Sequence, residues 1–293
     1  MRTMKKAGRT SRIGRACPII LAVLGFVPGP GDVGAAGEAA GTPAPIRDNS
    51  FLIEEAYNQE DGVIQHISAF TRNRDTREWA YTFTEEWPVR GEAHQFSFTL
   101  PVQRPGGGAG GDTGVGDAAL NYRYQALGGS EGRTSLAPRA SLLLPSGDEE
   151  QGRGTGGAGL QINLPLSVTL SRSFVAHSNL GATLIPSSRN ALGEEAAVRD
   201  YFAGQSLIWL ARPEFNVMLE AAWSSSEEVT GSGRTSRGSS LFVAPGVRGA
   251  INRKSGLQIV PGLAVPIGFG ASRGETALFV YLSFEHPFAR AGN

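Results

Sequence analysis

One cysteine stands in the whole chain, Cys17. A disulfide framework needs cysteine pairs and a thiolate zinc site needs several, so neither is expected. An excess of one charge is missing as well: 27 Lys and Arg face 27 Asp and Glu, and charged residues make up 18% of the chain. That balance supplies no basic stripe, and no nucleic-acid partner is expected. Long apolar runs are also absent. The run from Ile19 to Val27 is about half of the roughly 18 residues that a spanning helix needs, and nothing after it comes closer. If this chain crosses a membrane, it must do so as a closed barrel of strands.

Glycine, by contrast, is abundant at 40 residues, which suits a turn-rich all-β chain. The run Ile19 to Val27 follows Arg2, Lys5, Lys6, Arg9, Arg12 and Arg15 and precedes Pro28, Gly29, Pro30 and the small-residue stretch DVGAAGEAAG. This is the layout of a cleavable signal peptide, with cleavage expected near residues 33–36. Cys17 precedes the apolar run, so no lipid anchor on it is expected. The expected organisation is a signal peptide over 1–36, an N-terminal periplasmic or lumen segment over 37–62, a barrel over 63–288 and a short tail over 289–293. Cleavage after Ala36 leaves 21 basic residues against 26 acidic ones, a net charge of −5.

The rest of the chain alternates. In GLQINLPLSVTL, residues 159–170, Leu160, Ile162, Leu164, Leu166, Val168 and Leu170 fall on one side, and Gln161, Asn163, Pro165, Ser167 and Thr169 on the other. Period-two patterning makes a strand with one oily and one polar face. A soluble sandwich turns the oily face to a core, whereas a membrane barrel turns it to lipid. Twelve such stretches are expected: 63–73, 77–87, 92–103, 117–127, 134–144, 157–170, 173–185, 199–210, 214–223, 239–251, 257–269 and 275–288. The number is even, and most approach or exceed the roughly 9 to 11 residues that a tilted strand needs to cross a bilayer.

Three further patterns favour the membrane. Connections after even-numbered strands are brief (PVRG, GGSEG, SRS, ARP, NRKSG). After odd-numbered strands they are long, apart from RDTR and GASRG, as in barrels with short periplasmic turns and longer external loops. Folding a hairpin about Arg172 sets Leu170 against Phe174, Val168 against Ala176, Leu164 against Leu180, Ser167 against His177 and Gln161 against Thr183, which preserves both faces. Folding about Lys254 sets Ile251 against Leu257, Gly249 against Ile259 and Val247 against Pro261. Aromatic residues gather near strand ends, among them Trp79, Tyr81, Phe83, Trp87, Phe215 and Trp223, as interfacial girdles do. The expected fold is an all-β, antiparallel transmembrane β-barrel of about 12 strands in the bacterial outer membrane.

The stretches FLIEEAYNQEDGVIQHISAF, EWAYTFTEEWPV, GDAALNYRYQ and ASLLLPSGDE, in that order, resemble the outer-membrane barrel family labelled for the MetA pathway of phenol degradation and called a transporter. The resemblance covers most of the chain beyond residue 50. It implies an outer-membrane barrel and passage of small solutes, including aromatic or hydrophobic compounds, and brings no functional residues with it.

Ionisable groups on the polar faces are the candidate site. Arg123, Arg139, His177, Glu220, Arg248 and Glu285 are expected to line the lumen, because an arginine facing lipid near the bilayer midplane costs about 2 to 4 kcal/mol. No catalytic residue is assigned: FVAHSNLGAT resembles the His-x-Ser-Asn pattern of membrane lipases, but Ser178 is adjacent to His177 and points to the opposite face. His66, His94, His177 and His286 stand on separate strands without ligand spacing, so no metal site is expected, and no cofactor is implied. Passage of small solutes is the leading reading. A plugged structural or interaction barrel is the alternative, and a lipid-modifying membrane enzyme stands third. The partners expected are outer-membrane lipids, small-molecule solutes and, during biogenesis, the barrel assembly machinery.

Loop-length alternation places Ser232 outside the cell and Lys254 in the periplasm. Cysteines introduced at the two positions should therefore differ on intact cells, Ser232→Cys reacting with an impermeant thiol reagent and Lys254→Cys remaining unlabelled. Equal labelling would refute this orientation.

Overall fold

The computed structural model of the chain describes residues 46, 50–106, 112–129 and 132–288; the expected signal peptide and the tail 289–293 lie outside them. Twelve antiparallel staves form the wall. The first three are β1 (Val63–Asn73), β2 (Trp79–Val89) and β3 (His94–Arg104). Next come β4 (Gly114–Val115 and Ala118–Tyr124), β5 (Thr134–Leu136 and Arg139–Leu144) and β6 (Gly159–Asn163 and Leu166–Ser171). Four long staves follow: β7 (Phe174–Arg189), β8 (Glu195–Arg212), β9 (Phe215–Gly231) and β10 (Arg234–Gly249, continued by Ile251–Asn252). β11 (Gln258–Ala264 and Ile267–Phe269) and β12 (Ala277–Pro287) complete the set. Each stave pairs with its sequence neighbours, and β12 returns to β1 from Val63↔Pro287 to Asn73↔Ala277, closing the barrel without a free edge.

The interruptions have a chemical cause. β5, β6 and β11 break at Pro138, Pro165 and Pro266, where the missing N–H removes a rung of the ladder. The carbonyls of these prolines still accept, Pro138 from Tyr124 at 3.0 Å, Pro165 from Ala137 at 3.2 Å and Pro266 from Ala277 at 2.9 Å. The wall therefore stays continuous through each break. At the β2–β3 turn, a four-residue loop between Val89 and His94, both Arg90 and Gly91 have positive φ, 59° and 77°.

Burial is inverted relative to a soluble protein. In β6, Gln161, Asn163 and Ser167 are buried, whereas Leu160 is 52% exposed and Ile162 43%. In β9, Asn216, Met218, Glu220, Ala222 and Ser224 face inward and are buried; Phe215, Val217, Leu219 and Trp223 lie outward and exposed. From Phe215 to Trp223 the strand rises about 27 Å, which a tilt near 40° lowers to roughly 20 Å, close to the height of a membrane-barrel apolar band. Exposed rings bound the band: Phe174, registered with Trp209, and Phe215 on the short-turn side, Tyr201, Trp223 and Phe269 on the other.

The hairpin about Arg172 pairs Val168↔Ala176, Ser167↔His177 and Gln161↔Thr183 as expected; Phe174 faces Ser171 instead of Leu170, because the ladder slips between Phe174 and Val175. The hairpin about Lys254 differs by two residues. The ladder runs Ile251↔Ile259 and Val247↔Leu263, because the turn takes in Leu257, whose carbonyl accepts from Arg253 at 2.8 Å, with Gly256 at φ 86°. A shift of two preserves the faces. At the long-loop end, β7 to β10 extend well past their expected limits. The stretch read as a loop after β9 continues the strand to Gly231 and returns from Arg234, with Val229↔Thr235 and Glu227↔Arg237 paired.

Leu219 is midway along the outward band of β9. Leu219→Arg should destabilise the barrel by about 2 to 4 kcal/mol, read from urea unfolding in lipid vesicles. Unchanged stability would place that face away from lipid.

Candidate functional site

Inside the barrel lies an irregular segment, Ser50 to Glu60, with Ile46 preceding it. It has no helix or strand of its own, so its backbone groups must find partners elsewhere. The wall supplies them. The N–H of Leu52 donates to Glu220 Oε2 at 2.7 Å, that of Glu54 to Asn179 Oδ1 at 2.9 Å, that of Ala56 to Ser167 Oγ at 2.8 Å and that of Asn58 to Gln125 Oε1 at 3.0 Å. Every second amide thus meets a wall side chain, the spacing of an extended chain. Carbonyls are held likewise: Asn179 donates to Glu54 O at 2.7 Å, Gln125 to Ala56 O at 2.9 Å, and Arg123 to the carbonyls of Glu55 and Tyr57. Asn179 and Gln125 each grip one residue or its near neighbour from both sides, as a pairing strand would.

The segment's sequence matches a lumen of two characters. Phe51, Leu52 and Ile53 dock on an apolar wall built by Ala222, Phe242, Ala244, Val260, Ala264, Phe279 and Tyr281. The Phe51 ring stands 5.4 Å from the rings of both Phe279 and Tyr281. It rests over Gly246 and Gly262, where a Cβ would come within 3.0 and 2.3 Å of it; only glycine leaves this socket open. Glu54 and the residues after it meet a polar wall.

At the centre of that wall Glu54 sits between two guanidinium groups, Arg123 at 3.2 Å and Arg139 at 2.9 Å, with Asn163 donating to the same carboxylate at 2.7 Å. Burial on its own raises a carboxyl's pKa, but here Arg139, Arg123 and Asn163 together outweigh it and hold Glu54 below its ordinary value of 4.5. Arg123, 2% exposed, also donates to Asn58 Oδ1 at 2.9 Å and Gln95 Oε1 at 3.1 Å. Arg139 reaches Asn121, Ser141 and Gln161. A charge so enclosed is costly to orphan: removing one partner of a buried pair typically costs about 3 to 5 kcal/mol.

The other four candidates fall on different parts of the same segment. His177 Nδ1 is 2.7 Å from Ser167 Oγ, and its ring meets Tyr57 edge-on at 5.8 Å. Glu220 accepts from Phe51 and Leu52. Arg248 donates to Ile46 O at 3.0 Å, beside Asn216 at 2.7 Å. Glu285 accepts from Gln65 at 2.6 Å, and Gln65 in turn accepts from Gln59. Five of the six candidates therefore touch the segment directly or through one side chain, and Arg248 touches Ile46, which precedes it. Ser178 lies on the opposite face from His177, donating to Gln205 at 2.8 Å. The serine that does reach His177 is Ser167, on the neighbouring stave, and its oxygen already accepts the Ala56 amide. Among the described residues no group of three His, Cys, Asp or Glu is placed to hold a metal ion.

Sequence reading missed Glu54, Ser167, Asn179, Gln95 and Asn163. The one local signal was FLIEEAYNQE itself, three apolar residues followed by acids and amides with nothing nearby to pair them.

No family model matches the chain, and no curated protein matches it. Among solved structures, the COG4313 outer membrane channel from Pseudomonas putida F1 is similar over 78% of this chain and 97% of its own, with 13% sequence identity and a TM-score of 0.61. The NanC porin is similar over 75% of this chain and 98% of its own, at 8% identity and a TM-score of 0.49. The outer membrane channel DcaP of Acinetobacter baumannii is similar over 79% and 99%, at 9% identity and a TM-score of 0.33. At these identities the likeness is one of fold, and the first of the three carries it: the chain has the fold of an outer-membrane barrel.

Because the folded pKa of Glu54 lies below its ordinary value, its contribution to docking is full above that value and is lost as pH falls through the depressed one. Protection against hydrogen exchange at residues 50–60, taken relative to the intrinsic amide rate at each pH, should stay high at neutral and mildly acidic pH and fall only below the ordinary carboxylate range. In Glu54→Gln, protection should be low throughout and this pH dependence absent. Protection in the wild type that falls already near neutral pH would contradict the assignment.

Proposed function

We propose that this chain is an outer-membrane barrel that admits small solutes, exported by its signal peptide and inserted by the barrel assembly machinery. The observation that carries the reading is the make-up of the interior. A barrel that is only a structural staple can fill itself with packed side chains; this one holds an irregular segment on a polar wall facing an apolar one. Twelve strands enclose more room than the eight that side chains alone fill, and less than the sixteen of a wide aqueous pore. Arg123, Arg139, His177, Glu220, Arg248 and Glu285 then set the field along the path, since a narrow passage between low-dielectric walls focuses the charge of a few residues.

The apolar wall around Phe242, Phe279 and Tyr281 suits solutes with an apolar or aromatic face. The resemblance to the phenol-degradation barrel family supports the same solute class, and the fold shared with a channel supports passage as the function. One observation favours the plugged alternative: the segment 50–60 has wall partners along most of its backbone, so the barrel is narrowed at rest.

Vesicle swelling and single-channel recording distinguish the two. The wild type should admit small solutes and conduct weakly. Glu220→Ala removes the acceptor of the Phe51 and Leu52 amides, and Arg248→Ala the donor to Ile46, so each should raise conductance severalfold and shift ion selectivity while the barrel stays heat-modifiable on gels. If neither the wild type nor the variants conduct or swell, the plugged structural barrel replaces the channel.

A further inference from the structure

On the long-loop rim, the turn between β1 and β2 borders an open cleft of about 390 Å³ on the outside of the barrel, flanked by β11 and β12. Three arginines line it, Arg72, Arg74 and Arg77, beside Val265 and Leu278. Arg72, the last residue but one of β1, is on the outward face, registered with Trp79 on one side and Leu278 on the other. Val265 and Leu278 are exposed at 38% and 43% and continue the lipid-facing band, so the cleft has a cationic upper edge and an apolar floor.

The turn is held in place by its own backbone. Arg74 N donates to Thr276 O at 2.8 Å, Asn73 N to Glu78 O at 2.9 Å, and Asn73 Oδ1 accepts from Asp75 N and Thr76 N. Arg77 takes φ 60°, a left-handed backbone that glycine adopts at lower cost, and it carries a guanidinium there nonetheless. Among the described residues, no hydrogen bond or ion pair engages any of the three guanidinium groups. Three acids share this rim, and among the described residues none lies within ion-pair distance of these arginines. Glu78 is buried and accepts from Gly106 N at 3.0 Å, while Asp75 and Glu275 are exposed.

Guanidinium groups bind phosphate oxygens through paired, charge-assisted hydrogen bonds. A free anion needs only those donors. A ligand that uses the apolar floor as well is amphipathic, with phosphate at the headgroup level and hydrocarbon below it. We propose that this cleft binds the phosphorylated head group of an outer-leaflet lipid, with its acyl chain lying along Val265 and Leu278. The proposal rests on the long-loop end being external, and not on whether the lumen conducts.

The test is native mass spectrometry of the full protein released from neutral detergent micelles, titrated separately with bis-phosphorylated lipid A, phosphatidylglycerol and inorganic phosphate. Wild type should retain lipid A in preference to phosphatidylglycerol, and millimolar inorganic phosphate should not displace it. The combined R72Q, R74Q and R77Q variant should bind about tenfold more weakly, with lysines at the same positions restoring part of the affinity. Heat-modifiability on gels reports that each variant is folded. Equal retention by the glutamine variant would overturn the site. Displacement by inorganic phosphate would reduce it to an anion site without a lipid, and equal retention of phosphatidylglycerol would overturn the outer-leaflet assignment.

Discussion

A backbone amide that has left water must find an acceptor, and inside this barrel the wall provides it. For the wall itself the ladder suffices, since closure of β12 on β1 leaves no unpaired edge. The segment from Ser50 to Glu60 has no ladder, so side chains take its place: Glu220, Asn179, Ser167, Gln125 and Gln95 each accept one or two of its amides. Part of the inward polarity of the wall answers that requirement, while Ser97, Asn121, Gln161 and Thr183 bond to other wall side chains. Glu54 adds an electrostatic tie to both Arg123 and Arg139, and Arg123 also faces Glu86 at 3.9 Å.

The same arrangement decides what the lumen can do. Phe51 enters a glycine socket and meets two rings, which fixes the start of the segment through packing; Glu54 is fixed by its ion pairs with Arg123 and Arg139, and the amides of Ala56, Asn58 and Gln59 by neutral hydrogen bonds of a kind that a hydrated solute also offers. Hydrogen bonds that exchange protein for water contribute only about 0.5 to 1.5 kcal/mol each. Such contacts can be traded singly for those of a passing polar group, whereas an apolar plug packed on all sides offers nothing to trade.

Much of the wall was legible in the sequence because period two is a local property. Leu160 to Leu170 revealed its faces without reference to any partner, and the hairpin about Arg172 nearly fixed its own register. The hairpin about Lys254 came out two residues away, since alternation is unchanged by a shift of two and only the turn's hydrogen bonds choose between the options. Beyond Trp223, β9 carries Ser224, Ser225, Ser226, Glu227 and Glu228. Above the bilayer neither face needs to be apolar, so strand and loop have the same composition there. The lumen contacts were the least legible. Glu54 meets Arg123, Arg139, Asn163 and Asn179 across separations of 69 to 125 residues, and nothing in the pattern of a single strand records which distant strand it faces.

The central claim is that the segment lies across the lumen on β6, with the amide of Ala56 at the Ser167 hydroxyl. Ala56→Cys combined with Ser167→Cys, in a Cys17→Ser background, tests it, because the chain then holds no other thiol. Mild oxidation of the folded barrel should join the two cysteines in nearly all molecules, seen by mass spectrometry as a disulfide-linked peptide pair and reversed by reductant. A barrel that remains folded yet forms no such link would contradict the account.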